Sequence, residues 1–535
     1  GLTHRTPPLG RYFDARSLAR LSEPFDWRIT GKWMVYSALI GVAGALGALL
    51  FSTLLGWMTK LSFAGLLGYG PPVPGSEAGG APAAFDLRAA LQVARPWLLP
   101  LVPMLGGLLA GLLVYRFAPE AEGHGTDAVI RSFHRQGGHI RPRVPLVKTV
   151  ASALTIGTGG SAGREGPIAQ IGAGFGSYLA TRLRISDRDR RLFLVAGMAA
   201  GIGSIFQSPL GAAFFAVEVL YREDIESGAL MPPVVASVTG YSVYSRIVGS
   251  NTIFTTPGFV FGNPLELLPL IALAPVCGAV GILYVRLFYG IRGKVFAPLG
   301  VPPWLKPALG GLAVGGLALF VPAILGSSYG WLQEAIRGNL PVTLMLVMIP
   351  AKIVATSLTI GSGGSGGVFA PSLVIGGMLG GVFGSAAHAV LPQLVQQPSA
   401  YVLIGMATFF AGVANVPIST TIMISEMTGS YALLIPLIFS GVVVHLMCRR
   451  WSLYTQQVRS HNESPAHRAE LASQATPRLT AAQLLQPLAA DTTLAPASTL
   501  DEIITAFTRT RAGVLPVAAP APATGPATPP GVTPA

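Results

Sequence analysis

The chain of 535 residues is 51% hydrophobic and only 11% charged, with a mean hydropathy of +0.57 and a formal net charge of +13. A soluble protein of this size carries about a quarter charged residues, so the composition excludes a soluble globular domain and points to a polytopic membrane protein. The basic surplus is no nucleic-acid signature: Arg5, Arg11, Arg16, Arg20, Arg28 and Lys32 precede the first apolar run and Arg449 and Arg450 follow the last, as cytoplasmic flanks do.

In chain order, residues 1–32 read as a polar cytoplasmic lead without the apolar core of a cleavable signal peptide. Residues 33–250 read as a first membrane repeat, 251–455 as a second, 456–517 as a cytoplasmic tail and 518–535 as a Pro/Ala-rich disordered end. Both termini are expected in the cytoplasm, and the chain in the cell inner (plasma) membrane. Trp33 to Leu67 forms the first span, Gly68 to Ala84 an extracellular loop, and residues 97–117 the second span. From Val144 onward, apolar pieces of about 10–18 residues alternate with glycine breaks, as in broken or re-entrant helices buried in protein. Leu192 to Tyr221 is interrupted at Gln207-Ser-Pro209, and further apolar stretches occupy 229–249, 265–291, 303–325, 341–360, 401–427 and 432–448. Cys277 and Cys448 sit in apolar segments as core residues, with no disulfide or metal spacing. In the tail, Ser498-Thr-Leu-Asp501 reads as a capping box before a helix to about Thr508, and Gly513 to Val517 as a strand. The expected fold is all-α and polytopic, with a short α/β cytoplasmic tail.

One glycine-rich stretch occurs twice. Leu154 to Pro167 aligns without a gap on Leu358 to Pro371, and Lys148 and Lys352 extend the match upstream. The duplication continues: Gly197-Met-Ala199, Pro209 and Glu218 are echoed at the same spacing by Gly405-Met-Ala407, Pro417 and Glu426. Each glycine loop restarts a helix at a proline, which suits the first turn because its missing N–H would be unpaired there anyway. Bare backbone N–H groups at a helix N-terminus favour negative charge. Two such ends on duplicated halves imply one anion site at their seam.

Glu165 is the sharpest candidate, a carboxylate inside a membrane region where ionisable groups are costly. It would compete with an anion for the same amides and act as a protonatable gate, or else hold the loop through a salt bridge to Arg164 or another basic residue. The amides of Gly163, Arg164, Glu165 and Gly166 and those of Val368, Phe369 and Ala370 would line the site with dipoles that attract an ion without trapping it. Gly123-His-Gly125 offers His124 and Gly125 as a third element, with a structural or surface histidine as the alternative. Tyr454 would donate its hydroxyl from the cytoplasmic side, or serve as an ordinary surface tyrosine. Glu218 reads as a buried structural hydrogen bond or a proton-path residue. An intramembrane enzyme using Glu165 and His124 as an acid/base pair lacks any nucleophile or metal cluster beside them.

Gly163-Arg-Glu-Gly-Pro167 and Gly367-Val-Phe-Ala-Pro371 resemble the two signatures of the CLC family of chloride channels and chloride/proton antiporters, and the chain resembles a bacterial member over about residues 30–455. The resemblance implies a homodimer with one anion pathway per subunit, inverted-topology repeats and no cofactor. It places Glu165 as the external gate, Val368 and Phe369 as amide donors to a central ion, and Tyr454 as the tyrosine that coordinates it. Two positions depart from the family pattern. His124 stands where the family has a serine, which leaves room for a fluoride-selective exchanger. Val219 stands where many exchangers carry a second glutamate, which leans slightly toward a voltage-gated-type chloride channel over a chloride/proton antiporter. Residues from Thr480 to Val517 resemble part of a CBS domain.

Overall fold

The computed structural model describes residues 27–75, 85–468 and 494–510, with Val517. The chain divides into two units, Gly1–His467 and Arg468–Ala535. In the first, the helices run α1 (Trp27–Thr59, continued by a wider turn Lys60–Leu67), α2 (Leu87–Leu91), α3 (Leu101–Phe117), α4 (Thr126–Arg135), α5 (Arg143–Gly157), α6 (Glu165–Arg182), α7 (Asp187–Phe206), α8 (Pro209–Glu218) and α9 (Met231–Val248). They continue with α10 (Leu268–Gly290), α11 (Lys306–Ala318), α12 (Tyr329–Ile336), α13 (Val342–Gly361), α14 (Phe369–Val390), α15 (Ala400–Ala414), α16 (Pro417–Thr428) and α17 (Leu434–Cys448). The first helix begins at Trp27, inside the segment read as a polar lead.

Five helical stretches among the described residues are long and apolar enough to cross a bilayer, while α8, α15 and α17 are apolar but shorter. Along α1, Leu39, Leu46, Leu50 and Trp57 stand exposed while Ala45, Ala48 and Phe51 are buried. A face of large apolar residues without partners is what lipid contact requires. This is a multi-pass membrane fold with broken helices.

The breaks repeat between the halves. Gln207 and Asn415 both take left-handed backbone (φ 51° and 58°), ending α7 and α15 just before Pro209 and Pro417 restart α8 and α16. Glycines set the closest helix contacts, also in duplicate. A Cβ on Gly172 would lie 2.1 Å from the Gly197 carbonyl oxygen, and one on Gly376 would lie 2.5 Å from that of Gly405. These contacts pack α6 on α7 and α14 on α15 backbone to backbone, the small-residue packing that replaces a hydrophobic driving force in lipid.

The halves are bound by reciprocal hydrogen bonds. Glu218 at the end of α8 accepts from the Ile418 and Ser419 amides at the start of α16 (3.1 and 2.8 Å). Glu426 near the end of α16 accepts from Leu210, Gly211 and Ser208 at the start of α8 (3.2, 2.8 and 2.6 Å). Each carboxylate satisfies orphan N–H groups and faces the positive end of the other helix. Ser152 pairs with Ser365, and Ser161 with Thr356, in the same crossed fashion. Such exchange of equivalent partners is the mark of a two-fold relation.

The expected α/β tail is corrected: the described residues contain no β-strand, only isolated bridges. In the second unit the described structure is one helix, α18 (Leu500–Thr510), and a lone bridge between Leu494 and Val517. Residues 511–516, most of the expected strand, lie outside the described residues, as do 1–26, 469–493 and the disordered end assigned to 518–535. The physical reason is that a strand needs a ladder to join, and the described residues of this unit offer none, while Pro516 has no N–H to give to one. The capping box also shifts by one residue: Thr499 accepts from the Glu502 amide (3.4 Å) while Glu502 accepts from the Thr499 amide (2.9 Å).

Candidate functional site

The two glycine loops meet on each other. Gly163 donates its N–H to the Gly367 carbonyl (2.8 Å), and Gly367 donates back to Gly163 (2.6 Å), as an antiparallel bridge. Immediately after this pairing α6 begins at Glu165 and α14 at Phe369, so both helix N-termini open at one junction. The third loop joins them. Gly366 donates to the Gly123 carbonyl (3.2 Å), and a Cβ on Gly166 would lie 1.7 Å from the His124 oxygen. Gly125 adopts φ +83° there, so that loop and helix backbones touch where no side chain fits.

Glu165 is buried at this junction. Its Oε1 accepts from the Tyr329 hydroxyl at 2.6 Å, while Oε2 has no hydrogen-bond partner among the described residues. That second oxygen points at the paired loops: a Cβ on Gly163 would lie 1.9 Å from it, and one on Gly367 3.0 Å. A buried carboxylate oxygen set against the paired glycine backbone, with no donor bonded to it among the described residues, occupies ground suited to a small anion. Arg164 stacks its guanidinium 5.7 Å from the ring centres of both Phe206 and Tyr329. The Tyr329 hydroxyl is the donor that the structure shows on the carboxylate. Phe369 packs edge-on against Phe410, with ring centres 4.5 Å apart. Val368 and Ala370 are buried beside it.

His124 is buried, its ring centre 5.4 Å from that of Tyr454. Its Nε2 lies 3.4 Å from Asp127, and its Nδ1 has no hydrogen-bond partner among the described residues. Asp127 in turn accepts from the Thr455 amide and hydroxyl (3.3 and 2.9 Å) and the Gln456 amide (3.2 Å). Burial works to raise the Asp127 carboxyl, but His124 and these donors outweigh it and hold the group below the usual carboxylate value. The segment that carries Tyr454 is thereby tied to the start of α4.

All ten residues picked from the sequence fall in or against this junction. Glu218 does not; it caps α16. Sequence reasoning missed Tyr329 and the way two buried lysines build the site. Lys148 donates to the Ala121 and Gly123 carbonyls (3.0 and 2.7 Å), and Lys352 to Ile324, Gly326 and the Ser328 hydroxyl (each 2.8 Å). Each ammonium, fully buried, is surrounded by oxygens and bolts the loop before a short helix to the helix before a glycine signature. Gly123 lies 25 residues before Lys148, and Gly326 lies 26 before Lys352. That spacing makes Gly326-Ser-Ser-Tyr329 the counterpart of Gly123-His-Gly-Thr126, a signal available in the sequence.

Comparisons with known proteins agree with this layout. Residues 106–449 match the sequence profile of the family described as voltage gated chloride channel. A ClcB-like chloride channel protein of Ralstonia nicotianae is 34% identical over 351 residues, covering 65% of this chain and 81% of that protein. ClcA of Vibrio campbellii, an H(+)/Cl(-) exchange transporter, is 29% identical over 367 residues, covering 66% of this chain and 78% of that one. The crystal structure of a CLC-type fluoride/proton antiporter shares the fold with a TM-score of 0.67 at 21% identity, covering 82% of this chain and 100% of that one. With the family profile spanning well over half the chain, this chain belongs to the CLC family and carries a CLC-type anion transport pathway, a transport protein and not an enzyme.

Proposed function

We propose that the chain is an anion/proton antiporter for chloride or a similar small anion, with Glu165 as the group that carries the proton. The observation that supports this reading is the Glu165 carboxylate itself, one oxygen held by Tyr329 and the other set against the Gly163–Gly367 pairing. An anion reaches the helix N-terminal amides beside that pairing only when the carboxylate leaves, and protonation is what releases a carboxylate from amide dipoles. Anion and proton then exchange through one berth. Val219 favoured a channel in the sequence; the exchange and antiport functions named for two of the similar proteins weigh the other way and support the antiporter.

In this reading the amides of Arg164, Gly166, Val368, Phe369 and Ala370 hold the anion, Gly163 shapes the berth with its N–H given to the Gly367 carbonyl, and Gly125 lets the third loop approach. His124 and Tyr454 approach from the opposite side. The protein works as a homodimer in the cell membrane with both termini cytoplasmic. A fluoride preference is a second reading, motivated by His124 standing where the family has a serine, with its buried Nδ1 unpartnered among the described residues. The test is purified protein in liposomes under a chloride gradient, following external pH. Uphill proton movement is expected; anion flux with no proton movement would remove the antiporter, and competition of fluoride against chloride ranks the two anions.

A further inference from the structure

After α17 the chain turns back along the end of α8. Arg222 and Glu223 donate their amides to the Val458 and Arg459 carbonyls (3.0 and 3.1 Å), and the Gln457 side chain donates to the carbonyls of Val219, Tyr221 and Ala414. Two tight turns, His461–Glu463 and Pro465–His467, then present two histidines on one side. Their imidazoles lie face to face, ring centres 3.7 Å apart and planes within 20°. Both reach one carboxylate: His467 Nε2 is 2.9 Å from Glu226 Oε2, and His461 Nε2 is 3.8 Å from Glu226 Oε1.

The ligand atoms of these three residues lie within 4.8 Å of one another, and no part of the anion junction uses them. Two imidazole nitrogens and a carboxylate oxygen are a donor set of borderline hardness, suited to zinc and its neighbours in place of magnesium or calcium. The surroundings already hold the donors in place. The Tyr221 hydroxyl bonds Glu226 Oε2 at 2.5 Å, and His134, wedged between the Ser464 hydroxyl (2.8 Å) and the Leu220 carbonyl (2.9 Å), props the turn that bears His467. Such outer contacts orient metal ligands. Glu226 is 8% exposed and His461 36%, so the site is walled on the protein side and reachable from solvent.

We propose that Glu226, His461 and His467 bind a transition-metal dication of the Zn2+ class, with water in the fourth position. The ion fastens the segment after α17 to the loop after α8, joining ligands 241 residues apart. The same segment carries Tyr454 and the Thr455–Gln456 contacts to Asp127, so the metal stiffens the mount of the tyrosine without touching the anion. This proposal stands apart from the transport reading.

The test is zinc titration of full-length, tag-free protein in detergent against a chromophoric chelator, with thermal unfolding read in parallel. The expected result is one equivalent bound per chain and an unfolding midpoint that rises with zinc. Affinity should fall about tenfold or more in His461→Ala and His467→Ala and less in Glu226→Gln, with His139→Ala, at an exposed site, unchanged. His461 is partly exposed, so its replacement leaves the fold intact and keeps the test decisive if His467→Ala fails to fold. Wild-type protein that binds no zinc, or His461→Ala that binds it as tightly as wild type, would overturn the proposal.

Discussion

The two glycine loops share a backbone and part company in their side chains. Both follow a helix with a buried lysine, both pair through one glycine, and both open a helix two residues later. The first then places Glu165 where the second places Phe369. Phe369 is locked in an aromatic cluster with Phe206 and Phe410, while Glu165 hangs from a single hydroxyl with one oxygen unmatched. Duplication supplied two related sets of amides, and divergence put an aromatic wall on one side and a buried carboxylate on the other, the group proposed above as the gate. A symmetric berth needs only one gate.

The comparison breaks most sharply at Glu165. Glu165→Gln is expected to abolish uphill proton movement in liposomes while anion flux persists; coupling that survives the change would mean that the proton travels elsewhere. Next come the lysines. Lys352→Met strands three buried oxygens and Lys148→Met two, so the first should cost about 2–4 kcal/mol of stability and the second somewhat less. Thermal unfolding in detergent measures the difference, and equal losses would deny that the two bolts are graded. Tyr329→Phe removes the hydroxyl that donates to the Glu165 carboxylate. Anion flux at neutral pH should rise by about tenfold or less, the equivalent of about 1.4 kcal/mol of lost restraint.

The smallest effect is at Asp127, whose partners belong to the segment after α17. Its folded value lies below the ordinary one near 3.9, so its contribution is full above about pH 4 and is lost as pH falls through the depressed value. Asp127→Asn should cost about 1 kcal/mol at neutral pH and flatten the stability profile in that acid window. An unchanged profile would show that the contacts to Thr455 and Gln456 carry no load.

Much of the site was readable because backbone geometry restricts residue choice. Gly163, Gly166 and Gly367 leave no room for a Cβ, and Pro167 and Pro371 sit in the first turns of their helices, so chemistry and spacing coincide. Tyr329 was not readable in the same way. Its counterpart Thr126 differs in size and role, and the short helix α12 lies just beyond an apolar stretch with no period of its own. The break at Gln207 was visible beside a polar Gln-Ser pair, whereas 401–427 read as one stretch because Asn415, with the same left-handed backbone, is followed by the apolar Val416 before Pro417. The tail failed for a different reason. Strand identity depends on a partner, and a short run ending around Pro516 carries none in its own residues.

Because Gly163 and Gly367 trade hydrogen bonds with each other, the wall beside Glu165 belongs to neither half. A fragment ending before Asn263 would hold a complete first signature and still present it to nothing, its glycine amide and carbonyl both bare in the bilayer. Heredity of the ion path is thus joint: a lesion in one loop is felt as a hole in the other, and repair by second-site change should be sought across the seam before it is sought nearby.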